Sequence, residues 1–252
     1  MDHSELLAPQ HLMSDQPIIH LAYDPGAHNG DLAKTQKRLS RQRGYANLST
    51  VIVAPVTGPV QPRIVETWWS LLTPMNQPAY RMLVERAEVG SAYEAALDVI
   101  FGSQLNEWSY LLTLEHDNLV PVDALIKLVE AIEKGPYDAV GSLYFTKGEA
   151  GAPMIYGDPA RVPISFEPQQ IHPDQHGLQE TNGIGMGCSL FRISALKRLQ
   201  RPIFQTLTGS EGKGLMTQDL YACKAMREAG MRIAVDTNVR VGHLDFATGI
   251  AW

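Results

Sequence analysis

Glu115, His116 and Asp117 stand side by side in the stretch YLLTLEHDNLVP, Tyr110 to Pro121, directly after mostly apolar, strand-like chain. All three can bind a cation or a proton. In extended chain, residues i and i+2 point to the same side. Strand geometry carried through to residue 117 would therefore face the two carboxylates together and turn His116 away. Adjacent carboxylates repel each other and lose hydration, and a divalent cation between them relieves both costs. The competing reading is a strand end that simply meets solvent, with Asn118 opening a turn. Further along, Asp219 lies in the first turn of a helical pattern over 217–229, where the positive end of the helix dipole stabilises a carboxylate. His243 closes a strand-like run near the C-terminus. The spacing of Gly183, Gly185 and Gly187 marks either a flexible turn or a place where backbone N–H groups approach anionic oxygens closely.

These groups need elements to position them, and the chain from Val51 onward supplies a regular alternation. VIVAPV (51–56), AYRMLVE (79–85), YLLTLE (110–115), DAVGSLYF (138–145) and GCSLFRI (187–193) are apolar, β-rich runs that read as strands. RIAVD (232–236) and VRVGHL (239–244) read likewise. Between them, 63–72, 91–105, a Pro121-initiated segment up to Gly135-Pro136, a short Ser194-capped segment over 195–200, and 217–229 carry helical patterns. Residues 146–181 are rich in Pro, Gly, Gln and His and read as a long excursion. Strands alternating with helices predict an α/β sandwich with a largely parallel central sheet. Ligands of such sheets gather at the carboxyl ends of the strands, which is where residues 115–117 lie.

The composition narrows the function classes. The 252 residues suffice for one large core. A net charge of -6 gives no electrostatic reason for non-specific nucleic-acid binding. Cys188 and Cys223 form no CxxC pair, which argues against a zinc site or a disulfide framework. The start, MDHSELLAPQHLMSDQ, lacks the layout of a signal peptide, and no run reaches the ~18 apolar residues of a spanning helix. A soluble, cytoplasmic protein is expected. Residues 1–49 read as a polar N-terminal extension, with a basic run at 34–43 that is either a solvated face or a phosphate contact. Residues 50–252 read as one domain.

An apolar strand, acidic-x-acidic and then a Pro-initiated helix resembles the DxD region of GT-A glycosyltransferases of the family 2 type, in the variant form ExD. The segment TNGIGMGCSLFRISALKRL (181–199) resembles the glycine-rich strand and helix those enzymes place beside the diphosphate and acceptor. MTQDLYACKAMREAGMRIAVDTNVRVGHL (216–244) is similar to their C-terminal signature, and the match spans roughly 51–244. The resemblance implies a GT-A, Rossmann-like three-layer α/β/α sandwich, with 50–118 as the nucleotide-sugar half and 119–252 as the acceptor and catalytic half. It implies a metal held by Asp117 and His243, with Glu115 binding it through water or holding the donor ribose. Oxygen ligands plus one imidazole suit Mn²⁺ better than Mg²⁺. It makes Asp219 the base that deprotonates a hydroxyl acceptor in an inverting transfer. It places Pro55, Val56, Thr57, Glu85, His116 and Gly185 around the nucleoside-diphosphate sugar. Tyr93-Glu94 replace an Arg-Asn pair that relatives often carry near the diphosphate, and Gln218 replaces a second acid. A retaining transferase, a nucleotidyltransferase and a non-catalytic nucleotide-sugar binding module are the alternatives.

Overall fold

The computed structural model describes residues 17–21, 46–171, 176–209 and 214–252. The basic run at 34–43 lies outside these residues. The strands are β1 (Ile18–Leu21), β2 (Thr50–Val56), β3 (Ala79–Glu85), β4 (Tyr110–Leu114), β5 (Asn118–Leu119), β6 (Ala139–Leu143), β7 (Ile155–Tyr156), β8 (Leu178–Thr181), β9 (Gly183–Ile184), β10 (Cys188–Arg192), β11 (Leu207–Thr208), β12 (Gly214–Met216), β13 (Ile233–Arg240) and β14 (Gly242–His243). The α-helices are α1 (Pro62–Ser70), α2 (Val89–Gly102), α3 (Ala124–Lys134), α4 (Ile193–Leu196) and α5 (Gln218–Glu228).

One sheet of eight strands, ordered β1-β3-β2-β4-β10-β6-β13-β8, forms the middle layer. β3, β2, β4, β6 and β13 share one direction, and β1, β10 and β8 run against them. Side-chain alternation sends each strand into two cores, because successive residues point to opposite faces. Val51, Val53, Leu111 and Phe191 meet Ala92, Ala96 and Leu97 of α2 and Ala222, Cys223 and Met226 of α5 on one face. Ile52, Ala54, Leu112 and Leu190 meet Leu125, Leu128, Val129 and Ile132 of α3 on the other, with Trp68 and Leu71 beside them. The expected three-layer sandwich is thus present, and burial on both faces is why these strands read as near-continuous apolar runs.

Several local expectations change. α3 begins at Ala124, after a turn in which the Ala124 N–H donates to the Pro121 carbonyl (3.0 Å), so Pro121 precedes the helix rather than starting it. Ser194 caps nothing: α4 already begins at Ile193, with Arg192 at its N-cap. The runs at 232–236 and 239–244 are one strand, β13, interrupted by a register shift between Asp236 and Arg240 and followed by β14. The excursion at 146–181 contributes β8, which pairs antiparallel with β13. At the opposite side of the sheet β1, within the stretch read as an N-terminal extension, pairs antiparallel with β3.

Candidate functional site

β4 ends at Leu114, and a turn takes over. The Asn118 N–H donates to the Glu115 carbonyl (3.2 Å), so extended geometry does not reach Asp117. The expectation that a continuing strand would face both carboxylates together therefore fails. The turn instead delivers the chain to β5, where Asn118 lies opposite His243 in an antiparallel pair with β14. The Leu244 N–H donates to the Asp117 carbonyl (2.7 Å). His243 exchanges backbone hydrogen bonds with Trp252 in both directions (2.9 and 3.0 Å), which folds the last residues back as a brace.

This ladder brings residues 126 positions apart together: His243 Nε2 lies 3.2 Å from Asp117 Oδ2. Its other ring nitrogen, Nδ1, lies 2.8 Å from the Phe145 carbonyl oxygen. A carbonyl can only accept, so Nδ1 carries the hydrogen; with both ring nitrogens protonated Nε2 donates to Asp117, and without its own hydrogen Nε2 has a lone pair for a cation. Fixing one nitrogen through a backbone carbonyl is how metal-binding histidines are commonly oriented. Two ligands of one ion, each roughly 2.1 Å from it, sit about 3 Å apart, and this pair has that spacing. Among the described residues no three His, Cys, Asp or Glu side chains gather closely enough to hold a metal alone. The donor set therefore fits a cation whose remaining positions would come from phosphate oxygens and water.

A third group shares the same oxygen. Lys147 Nζ lies 2.6 Å from Asp117 Oδ2. Burial opposes the charge on Asp117, but hydrogen bonds from His243 and Lys147 outweigh it and hold the carboxyl down at about 2. Glu115 behaves oppositely. It keeps some accessible surface, but its carboxyl is surrounded by protein. That burial, reinforced by the Asp117 and Asp219 carboxylates and opposed by Lys147, pushes it up to about 8. Asp219 stands at the start of α5, 7% exposed, and its carboxylate accepts from the Leu220 N–H (2.8 Å). Burial raises its pKa against those hydrogen bonds. The buried phenols Tyr93 and Tyr144 are raised well above the ordinary tyrosine value by burial first and then by Glu115 and Asp219. Glu115, Asp117 and Asp219 thus form one electrostatic neighbourhood.

At the donor end, Pro55 and Val56 lie beside Val84 and Glu85 in the β2–β3 register, and Thr57 follows, exposed. These residues occupy the carboxyl ends of strands parallel to β4. The Glu85 carboxylate contacts His20 Nε2 of β1 (2.9 Å). Arg86, next in line, holds a left-handed φ of 62°, rare for a residue with a side chain. The Tyr93-Glu94 pair has structural work: the Glu94 carboxylate accepts from the backbone N–H of Ile203 and Phe204 (2.7 and 2.9 Å) and pairs with Arg201. His116 packs beside Phe246, with ring centroids 5.7 Å apart. Gly185 is explained by packing, since a Cβ there would overlap the Tyr144 hydroxyl. That hydroxyl accepts the Gly187 N–H (3.0 Å), and a Cβ on Gly187 would press on Asn118 at 2.7 Å.

Sequence reasoning passed over Lys147 and Phe246, and read Asn118 only as a turn residue. Lys147 sits in the excursion, in FTKGEAG, where a cation between strand and glycine after β6 was the available signal. Phe246 lies in the C-terminal fold-back, with its ring centroid 5.7 Å from Lys147 Nζ. Asn118 is fully buried, and neither polar atom of its amide has a hydrogen-bond partner among the described residues. Such open hydrogen bonds are costly in a closed core and fit a site that takes a polar ligand. A polar cavity of about 570 Å³, lined in part by Gly157, Asp158, Arg161, Glu167 and Glu180, includes none of Asp117, Asp219 or His243.

No family model matches the sequence, and no curated protein matches it. Solved structures do share the fold. A197 from STIV superposes with a TM-score of 0.55 at 20% identity, over 78% of this chain and 86% of that one. GalNAc-T7, crystallised with UDP, GalNAc and Mn²⁺, superposes with a TM-score of 0.52 at 13% identity, over 79% of this chain and 44% of that one. The shared architecture is the GT-A fold.

Proposed function

We propose that this chain is a metal-dependent glycosyltransferase that moves a sugar from a nucleoside diphosphate to a hydroxyl acceptor with inversion at the anomeric carbon. The observation that supports it most is the approach of His243 Nε2 to Asp117 Oδ2, with Nδ1 already committed to a backbone carbonyl. It occurs just beyond the carboxyl end of β4, where α/β sheets take their ligands. The fold shared with a transferase crystallised with UDP and Mn²⁺ points the same way.

In this reading Asp117 and His243 hold the divalent cation, Mn²⁺ in preference to Mg²⁺, together with the donor. The cation, when bound, neutralises charge that grows on the departing diphosphate. Pro55, Val56 and Thr57 wall the nucleotide, and Glu115 holds a donor ribose hydroxyl. Asp219 accepts the acceptor's proton as its oxygen attacks, and burial lifts its basicity above that of an ordinary carboxylate. No helix among the described residues is long and apolar enough to cross a membrane. A reducing cytosol suits the two buried, unpaired cysteines.

The test is thermal stabilisation against UDP-, GDP-, CDP- and dTDP-sugars with and without Mn²⁺, followed by NMR of the product's anomeric configuration. A shift requiring both nucleotide and metal, with an inverted product, is expected. No shift under any condition overturns the reading. Binding without donor hydrolysis or transfer would leave only a nucleotide-sugar binding module.

A further inference from the structure

Lys147 is positioned by a small hairpin whose Phe145 and Pro153 form an antiparallel bridge. The Thr146 N–H donates to the Ala152 carbonyl (2.9 Å), and the Gly151 N–H donates to the Gly148 carbonyl (3.0 Å). Gly148 closes the tip with a φ of +109° and has open space where a Cβ would point. The hairpin base also supplies Phe145, whose carbonyl fixes the His243 ring. One short element thus orients an imidazole and aims an ammonium at the same Asp117 oxygen. The ammonium is 35% exposed at its side chain and has the Phe246 ring nearby. Its positive charge also reaches the carboxyl groups of Glu115 and Asp245.

An ammonium 2.6 Å from Oδ2 takes the place that a cation coordinated by that oxygen needs. Both cannot occupy it, and two cations side by side repel. An arriving diphosphate changes the balance, since it brings oxygens for the metal and a new anionic partner for a displaced lysine. We propose that Lys147 is a resident counter-ion that makes metal entry conditional on the diphosphate. Without nucleotide the ammonium guards Asp117. With it, the ammonium transfers to phosphate oxygens and the metal takes over the carboxylate. This rests on the transferase reading of the site but concerns the order in which its parts assemble.

The experiment titrates Mn²⁺ alone into the full chain, followed by calorimetry or the manganese EPR signal. Lys147→Met is expected to bind Mn²⁺ about fivefold or more tightly than the parent, the scale of a partly shielded ion pair. Lys147→Arg is expected to match the parent. Inorganic pyrophosphate should then tighten Mn²⁺ binding more in the parent than in Lys147→Met. Lys147→Gln provides a second neutral variant should the methionine disturb folding, as read by circular dichroism. Equal or weaker Mn²⁺ binding by the neutral variants overturns the inference. If that happens while the parent still shows a nucleotide- and metal-dependent thermal shift, the transferase reading survives. If no form binds Mn²⁺, with or without pyrophosphate, both fall.

Discussion

At Asp117, one carboxylate oxygen is approached by an imidazole nitrogen and an ammonium together, and burial with neighbouring groups shifts the carboxyls of Glu115 and Asp117 in opposite directions. Glu115 gives the clearest pH consequence. Its folded pKa of about 8 lies above the ordinary 4.5, so between those values the folded state holds a proton that the unfolded chain releases. Stability of the metal-free protein therefore falls as pH rises from 4.5 towards 8. Melting temperatures across that window should show the decline, and Glu115→Gln should flatten it. Asp219→Asn should retain nucleotide binding and lose roughly 10²–10⁴-fold in transfer rate, the usual size of general-base help. Transfer at the parent rate would remove Asp219 from that role. Asp117→Ala should abolish the Mn²⁺-dependent part of the nucleotide thermal shift while leaving the metal-free fold intact.

At the scale of elements, the site depends on short pieces more than on long ones. β5 and β14 have two residues each, yet their pairing sets Asp117 against His243. Gly185 gives room to Tyr144, whose hydroxyl anchors the Gly187 N–H. Gly185→Ala forces an overlap in a closed core and should cost about 1–3 kcal/mol, measurable by urea denaturation. The long strands were legible from an apolar signature, through burial on both faces in β2 and through alternation of buried and exposed positions in AYRMLVE, which matches β3 end to end. The turn at 115–118 was only half legible: Asp117 and Asn118 favour turns, but an ExD triplet after an apolar strand reads equally well as continued strand. Lys147 escaped for a related reason. Its position follows from a hairpin closed by Thr146 and Gly151, in a segment whose composition announces only loop. The direction of β10 was equally hidden, because apolar periodicity is the same for a parallel and an antiparallel neighbour.

For the molecule as a whole, the sheet divides the labour. β3, β2 and β4 run side by side in parallel and carry Pro55, Val56 and Glu85 at their carboxyl ends, whereas β10 runs against both β4 and β6 and separates that half from β6 and β13. A ligand seated across the carboxyl ends of both halves ties them together. Saturating nucleotide and Mn²⁺ at about 100 times the dissociation constant should add roughly 2.7 kcal/mol. In a chain of this size that corresponds to a rise of about 5–10 °C in melting temperature. The brace at residues 242–252 has a consequence for biosynthesis. Its backbone bonds to Trp252 form only after that residue has left the ribosome, whereas Asp117 emerges far earlier. A nascent chain can pair β2, β3 and β4 before His243 is there to meet Asp117. On the proposed reading, a polypeptide that stops before residue 243 lacks one of the two side chains that would hold the metal and its donor.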